Sequence, residues 1–172
     1  MNFKIPAWAA IFAAVVMVPF SILAFIPINS SVVLSNPYLI ILNYAYFFLY
    51  SIVVIGLLQI SIKEKNNFLK TTLIIALVIF FLMYLKEFIF TKSTLLSALS
   101  LVFGGIISII AGSALLTLKK HKTKVLIAIG IIYIIEGFFD ATLLFALYTQ
   151  FLCVAELILE AIFFFKIKNI KK

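Results

Sequence analysis

The amino-acid sequence predicts an all-α fold, a polytopic bundle of six transmembrane helices joined by short loops and with no soluble domain. Three observations lead there. Of 172 residues, 66% are hydrophobic and 12% charged, against about half apolar and a quarter charged in an ordinary soluble domain. Apolar runs long enough to cross a hydrocarbon core recur along the chain, with lysines gathered in the short segments between them. Nineteen Phe and seven Tyr stand beside only six Gly and four Pro, a composition of packed helices. Transmembrane β-strands would show alternating polar positions, which these runs lack.

A hydrocarbon core about 30 Å thick takes roughly 20 residues of helix at 1.5 Å each. That ruler places spans over 7–27, 38–62, 69–90, 95–118, 125–147 and 150–166, all in one domain covering 1–172. The first span contains Pro19, which is expected to kink it. No small-residue cleavage site follows a short apolar core, so residues 1–27 read as a retained helix and not as a signal peptide. Four segments mark the next borders: PINSSVVLSNP, KEKNN, the KEFIFTKS region and KKHKTK. The last border comes from length alone. About 40 apolar residues from Val125 to Phe165 would make a helix of roughly 60 Å, twice the core. A turn is expected at Tyr148-Thr149-Gln150.

Fourteen Lys and no Arg give a net charge of +8. A nucleic-acid binder would carry such charge on a soluble face with aromatic or loop partners; here it sits between apolar runs, so no nucleic-acid partner is expected. With six spans, Lys4, then Lys63, Lys65 and Lys70, then Lys119, Lys120, Lys122 and Lys124, then Lys166, Lys168, Lys171 and Lys172 fall on one side. That is twelve of the fourteen, with only Lys86 and Lys92 opposite. The positive-inside rule then places both termini in the cytoplasm of a multi-pass protein of the cell membrane. The Lys-, Ile- and Phe-rich, Arg-free composition points by association to an AT-rich prokaryotic genome.

The fourth span carries Ser100, Gly104, Ser108 and Gly112. A small residue at every fourth position makes a ridge that another helix approaches closely. Ala9 with Ala13 and Ala10 with Ala14 form a weaker ridge on the first span. These ridges serve packing within one chain or docking onto other membrane subunits or a second copy. In the second span Asn43, Tyr46, Phe47 and Tyr50 share a helical face. The functional reading makes Asn43, Tyr46 and Tyr50 part of a polar cavity; the bland one makes them interfacial anchors plus one interhelical hydrogen bond. Trp8, near Lys4, reads as an interface anchor.

Six carboxylates occur in the chain. Glu64 lies inside KEKNN and Glu87 follows Lys86 at a border. The other four, Glu136, Asp140, Glu156 and Glu160, lie within the two last apolar runs, each pair at i,i+4 spacing on one helix face. Counted from a turn at Thr149, Asp140 is level with Glu156 and Glu136 with Glu160, so the four are expected to form one inward cluster. Each charge at a helix centre costs at least about 2.5–3.5 kcal/mol, which argues against a lipid-facing position. Close carboxylates in low dielectric cannot all ionise together, so the cluster is expected to share protons or a cation. The alternatives are hydrogen bonds to Tyr133 and Thr142, or pairing with basic groups of an adjacent subunit.

Other chemistry finds little footing. The quartet on two helices resembles the carboxylate-rich sites of di-iron bundles, but their Glu-x-x-His element is missing, and the only histidine, His121, sits in KKHKTK. No metal site and no cofactor are expected. A single cysteine, Cys153, excludes an intrachain disulfide and a CxxC site. No GxSxG, HExxH or phosphate-binding glycine loop is present; Ser113 and Cys153 read as packing residues, and an enzyme is not expected. Six spans in 172 residues, with alanines on the first, is similar in size and layout to the substrate-binding components of energy-coupling-factor vitamin transporters. The sequence thus leads to a cofactor-free subunit or structural module of a larger membrane complex. The alternative is an autonomous transporter or solute-binding unit that uses the carboxylates for proton or cation coupling.

Overall fold

The computed structural model describes residues 3–23, 37–89, 94–118, 123–143 and 146–167. They form six α-helices and, among the described residues, no strand: α1 (Lys4–Leu23), α2 (Pro37–Lys63), α3 (Asn67–Ile89), α4 (Thr94–Leu116), α5 (Lys124–Thr142) and α6 (Ala146–Lys166). All but α3 contain a stretch long and apolar enough to cross a membrane; α3 carries the shorter apolar stretch Asn67–Leu82. Helices satisfy their backbone hydrogen bonds internally, which is what a chain this apolar requires in lipid.

Helices α2, α3 and α4 begin and end within two residues of the spans expected from the sequence. The first helix starts at Lys4 and runs through Pro19 to Leu23. The expected loop at 27–37 lies outside the described residues except for Pro37, which begins α2, and Lys92 and His121 lie outside them as well. The last border differs. Helix α5 stops at Thr142, capped by Leu143 in the left-handed conformation (φ 57°), whose N–H bonds the Asp140 carbonyl. Tyr148, Thr149 and Gln150 are therefore inside α6, not in a turn. Length fixed the need for a turn but not its place, and a leucine is a poor advertisement for a left-handed cap that glycine usually fills.

The chain forms two compact units. One comprises Met1–Gly56 and Gln150–Lys172, the other Leu57–Thr149. In the first, here the terminal unit, α1 runs antiparallel to α6. The rings of Phe3 and Phe164 stack with centroids 6.1 Å apart, Trp8 meets Phe165 edge-on at 5.7 Å, and at the far end the Ser21 hydroxyl donates to the Gln150 carbonyl at 3.2 Å. Helix α2 lies parallel to α6, with Tyr46 beside Cys153 and Gly56 beside Phe164. Gly56 permits this closeness, because a Cβ there would lie 2.7 Å from Pro6 Cβ and 2.9 Å from the tip of Phe164. Ala7, Ala9, Ala10, Ala13 and Ala14 are all buried, and they bring α1 close to its neighbours.

The other, central unit holds α3, α4 and α5, and its main contact joins α4 to α5. Two glycine pairs make that seam. A Cβ at Gly105 would stand 2.5 Å from the Gly137 carbonyl oxygen, and one at Gly112 would stand 2.5 Å from the Gly130 carbonyl oxygen. Gly105 and Gly112 are seven residues apart, as are Gly130 and Gly137, and they pair in antiparallel order. Asn66 ties the unit at another point. Its Oδ1 accepts from Leu69 N–H at the start of α3, and its Nδ2 donates to Thr117 Oγ1, just beyond α4, at 2.7 Å.

Candidate functional site

Of the acids, Glu156 and Glu160 lie deepest in the protein, only 1% and 0% exposed. Helix geometry explains their shared face, since residues four apart sit one above the other. The same face of α6 carries Cys153 and the buried Phe163 and Phe164. Glu156 is ten residues from Ala146 and ten from Lys166, about 15 Å of helix from either end. Glu160 is one turn nearer the Lys166 end.

Helix α2 supplies the facing polar groups. Its Tyr46 hydroxyl is 3.2 Å from Cys153 Sγ, its ring stacks on Tyr50 at 5.6 Å, and Glu156 lies three residues beyond Cys153 on the same face of α6. Tyr46, Tyr50, Cys153 and Glu156 thus form one polar group between α2 and α6 of the terminal unit. Asn43 is half-buried one turn before Tyr46. In low dielectric such neighbours interact far more strongly than in water, and hydroxyl, thiol and carboxyl can all give or take a proton.

Glu136 and Asp140 belong to the central unit. Glu136 is buried on the face of α5 that also carries Tyr133 and Gly137, and Asp140 is half-buried. The Asp140 carboxyl takes a hydrogen bond from Thr149. Thr142, expected as a partner for these acids, turns its hydroxyl to the Phe138 and Phe139 carbonyls of its own helix.

The early turn removes the count from Thr149 on which the depth match of the four acids rested. Asp140 is two residues from the end of α5, while Glu156 lies ten residues beyond the start of α6. The acids stand as two pairs in two compact units. Among the described residues, no three His, Cys, Asp or Glu side chains are grouped to hold a metal ion.

The small-residue ridge meets α5 at one of its two glycines. Gly112 lies in the α4–α5 seam, but its companion there is Gly105; Ser100, Gly104 and Ser108 are half-buried. The signal that finds the true seam is a glycine at seven-residue spacing on both helices, GxxxxxxG at 105–112 and again at 130–137. Cys153, read as a packing residue, is the thiol that meets Tyr46.

Helices and buried acids together define a class: a polytopic α-helical membrane protein with carboxylates inside its bundle. Comparison with known proteins takes the assignment no further, since no family model, no curated protein and no solved structure matches the chain. The likeness to vitamin-transporter components accordingly rests on size and layout alone.

Proposed function

We propose that the protein is a cofactor-free, non-enzymatic module of a larger assembly in the cell membrane, and that Glu156 and Glu160 handle protons within it. One observation carries the proton reading: two acids sit one turn apart, fully buried, at and near the middle of an apolar helix. An ionisable group at that depth costs at least about 2.5–3.5 kcal/mol to insert, a penalty that a purely structural leucine avoids. The Tyr46–Cys153 contact, about one turn from Glu156 on the same face of α6, adds exchangeable protons near the acids. A pair of carboxylates suits a proton better than Ca²⁺, which takes about 6–8 oxygen ligands.

The assembly reading rests on economy of structure. Nearly all described residues are helical, which leaves little surface outside the bilayer for chemistry or recognition. Orientation follows from charge, with both termini cytoplasmic. Phe3 stacked on Phe164 puts the start of α1 and the end of α6, hence Lys4 and Lys166, on one side. The same topology requires α3 to cross as well, and its 23 residues reach about 35 Å.

Two experiments test the proposal. In a Cys153→Ser background, an impermeant thiol reagent added from outside should label Leu143→Cys and spare Lys171→Cys; the reverse pattern would invert the topology. After purification in mild detergent, stoichiometric partners should co-migrate, and Glu156→Gln and Glu160→Gln should leave the complex assembled but lower its proton-dependent turnover at least tenfold. A protein that runs alone and moves protons across vesicles by itself is an autonomous transporter instead. Full activity in both Gln variants removes the proton role, because an amide keeps the shape of the acid but cannot exchange its charge.

A further inference from the structure

The outer surface of the terminal unit carries an open groove of about 370 Å³ between α1 and α6. Its walls are branched or aromatic: Ile11, Val15 and Val18 on α1, and Ile158, Ile162 and Phe165 on α6. Its floor is formed by Ala14 and Ala161, which are buried while most of the wall residues are exposed. Both helices build it from the same spacing, i, i+3, i+4 and i+7, starting at Ile11 and at Ile158. With Val154 one turn earlier on α6, the lining runs from Ile11 to Val18 and from Val154 to Phe165, so the groove is roughly 10–16 Å long.

One end of this groove is basic and aromatic. Phe165 closes it, Trp8 packs edge-on against Phe165, and Lys166 follows directly in sequence. Lys4 lies one turn before Trp8 on α1, and both lysines are exposed. At the other end, around Val18 and Val154, the described residues include no charged side chain. An apolar trough with cationic groups at a single end matches a molecule with an apolar tail and an anionic head.

We infer that this groove binds a phospholipid with an anionic head group, one acyl chain lying on Ala14 and Ala161 and the phosphate reaching Lys4 and Lys166. A docking helix fits less well. In lipid no hydrophobic drive brings helices together, so helix contacts depend on small residues or interhelical hydrogen bonds. Here the small residues lie at the bottom of walls that hold a helix backbone away, and no polar side chain lines the groove. A flexible chain follows such a trough, and the lysines select the charge of its head, as basic sites between transmembrane helices do for anionic lipids.

Native mass spectrometry of the delipidated protein, titrated with dioleoylphosphatidylglycerol and separately with dioleoylphosphatidylcholine, tests this inference. One equivalent of the anionic lipid should bind at least tenfold more tightly than the zwitterionic one. Lys166→Gln should weaken the anionic lipid roughly fivefold and leave the other unchanged. Ala161→Phe, which fills the floor, should abolish the tight site; should that variant fail to fold, Val15→Trp on the exposed wall narrows the groove with the same expected loss. Equal affinity for the two lipids, or a preference untouched by Lys166→Gln, overturns the site and leaves ordinary annular lipid. A stoichiometric protein partner found covering Ile158 and Ile162 overturns it as well.

Discussion

The central and terminal units meet the same physical problem with different chemistry. Lipid tails are as apolar as leucine, so neither unit gains by merely hiding apolar surface from its surroundings. In the central unit, α4 and α5 meet backbone to backbone through Gly105–Gly137 and Gly112–Gly130. In the terminal unit, closeness is made by alanines and by aromatic rings, with Phe3 on Phe164 and Trp8 on Phe165. The glycine contacts themselves carry no exchangeable proton, although Glu136 and Tyr133 are buried on the same face of α5 as Gly137. The terminal unit places Glu156, Tyr46 and Cys153 between its helices. The closest backbone approach thus belongs to one unit and the two most deeply buried of the four acids, Glu156 and Glu160, to the other.

The contrast is most exposed at the seam. Glycine-to-alanine changes ordinarily favour a helix by roughly 0.8–1 kcal/mol, so Gly104→Ala should be neutral or mildly stabilising. Gly105→Ala and Gly137→Ala, one residue away or across the contact, should instead destabilise by about 1–3 kcal/mol, because the new methyl group meets a backbone carbonyl that cannot move aside. Unfolding titrations in mixed detergent measure the difference. Equal values for Gly104→Ala and Gly105→Ala would mean that the seam is misplaced.

A smaller effect is expected at the loop that pins α3 to α4. Asn66→Ala removes both the cap on Leu69 N–H and the bond to Thr117, and should lower stability by about 1–2 kcal/mol. Asn66→Asp keeps the cap but not the donor, so it should recover part of that loss; no recovery would place the whole effect in the Thr117 bond. The smallest loss belongs to the terminal unit. Gly56→Ala meets Pro6 Cβ at 2.7 Å and the tip of Phe164 at 2.9 Å. The Phe164 ring can yield, but Pro6 Cβ is held by the α1 backbone and needs a small shift of that helix, so about 1 kcal/mol is expected. A loss at Gly56 as large as that at Gly105 would erase the distinction between the units.

Much of the fold was legible in the sequence because the bilayer leaves few choices. Hydrophobic length and lysine-bearing borders located α2, α3 and α4 closely. The turn after α5 was not legible, since Leu143 adopts a left-handed cap without glycine, proline or charge to mark it. That one displacement takes away the count from Thr149 on which the levelling of Asp140 with Glu156 rested. The ridge was legible only in part, through Gly112, for a related reason. A four-residue pattern of small residues pointed to Gly104, but helices that cross in antiparallel register met at seven-residue spacing, and only the partner's Gly130 and Gly137 decide which glycine faces inward. That each carboxylate couple shares one helix face was legible from i,i+4 spacing, while the contact of Cys153 with Tyr46 depends on two helices far apart in sequence.

The central claim is that Glu156 and Glu160 exchange protons inside the bilayer, and carbodiimide modification read by peptide mass spectrometry tests it most directly. A hydrophobic carbodiimide reacts with a carboxylic acid only while the acid carries its proton. On the intact protein in membranes, labelling of Glu156 or Glu160 should decline as pH is raised, and Tyr46→Phe, which removes a neighbouring exchangeable proton, should shift that decline. Absence of labelling at every pH, or labelling that ignores pH and the Tyr46 substitution alike, would contradict the account and leave the two acids as packed, inert parts of α6.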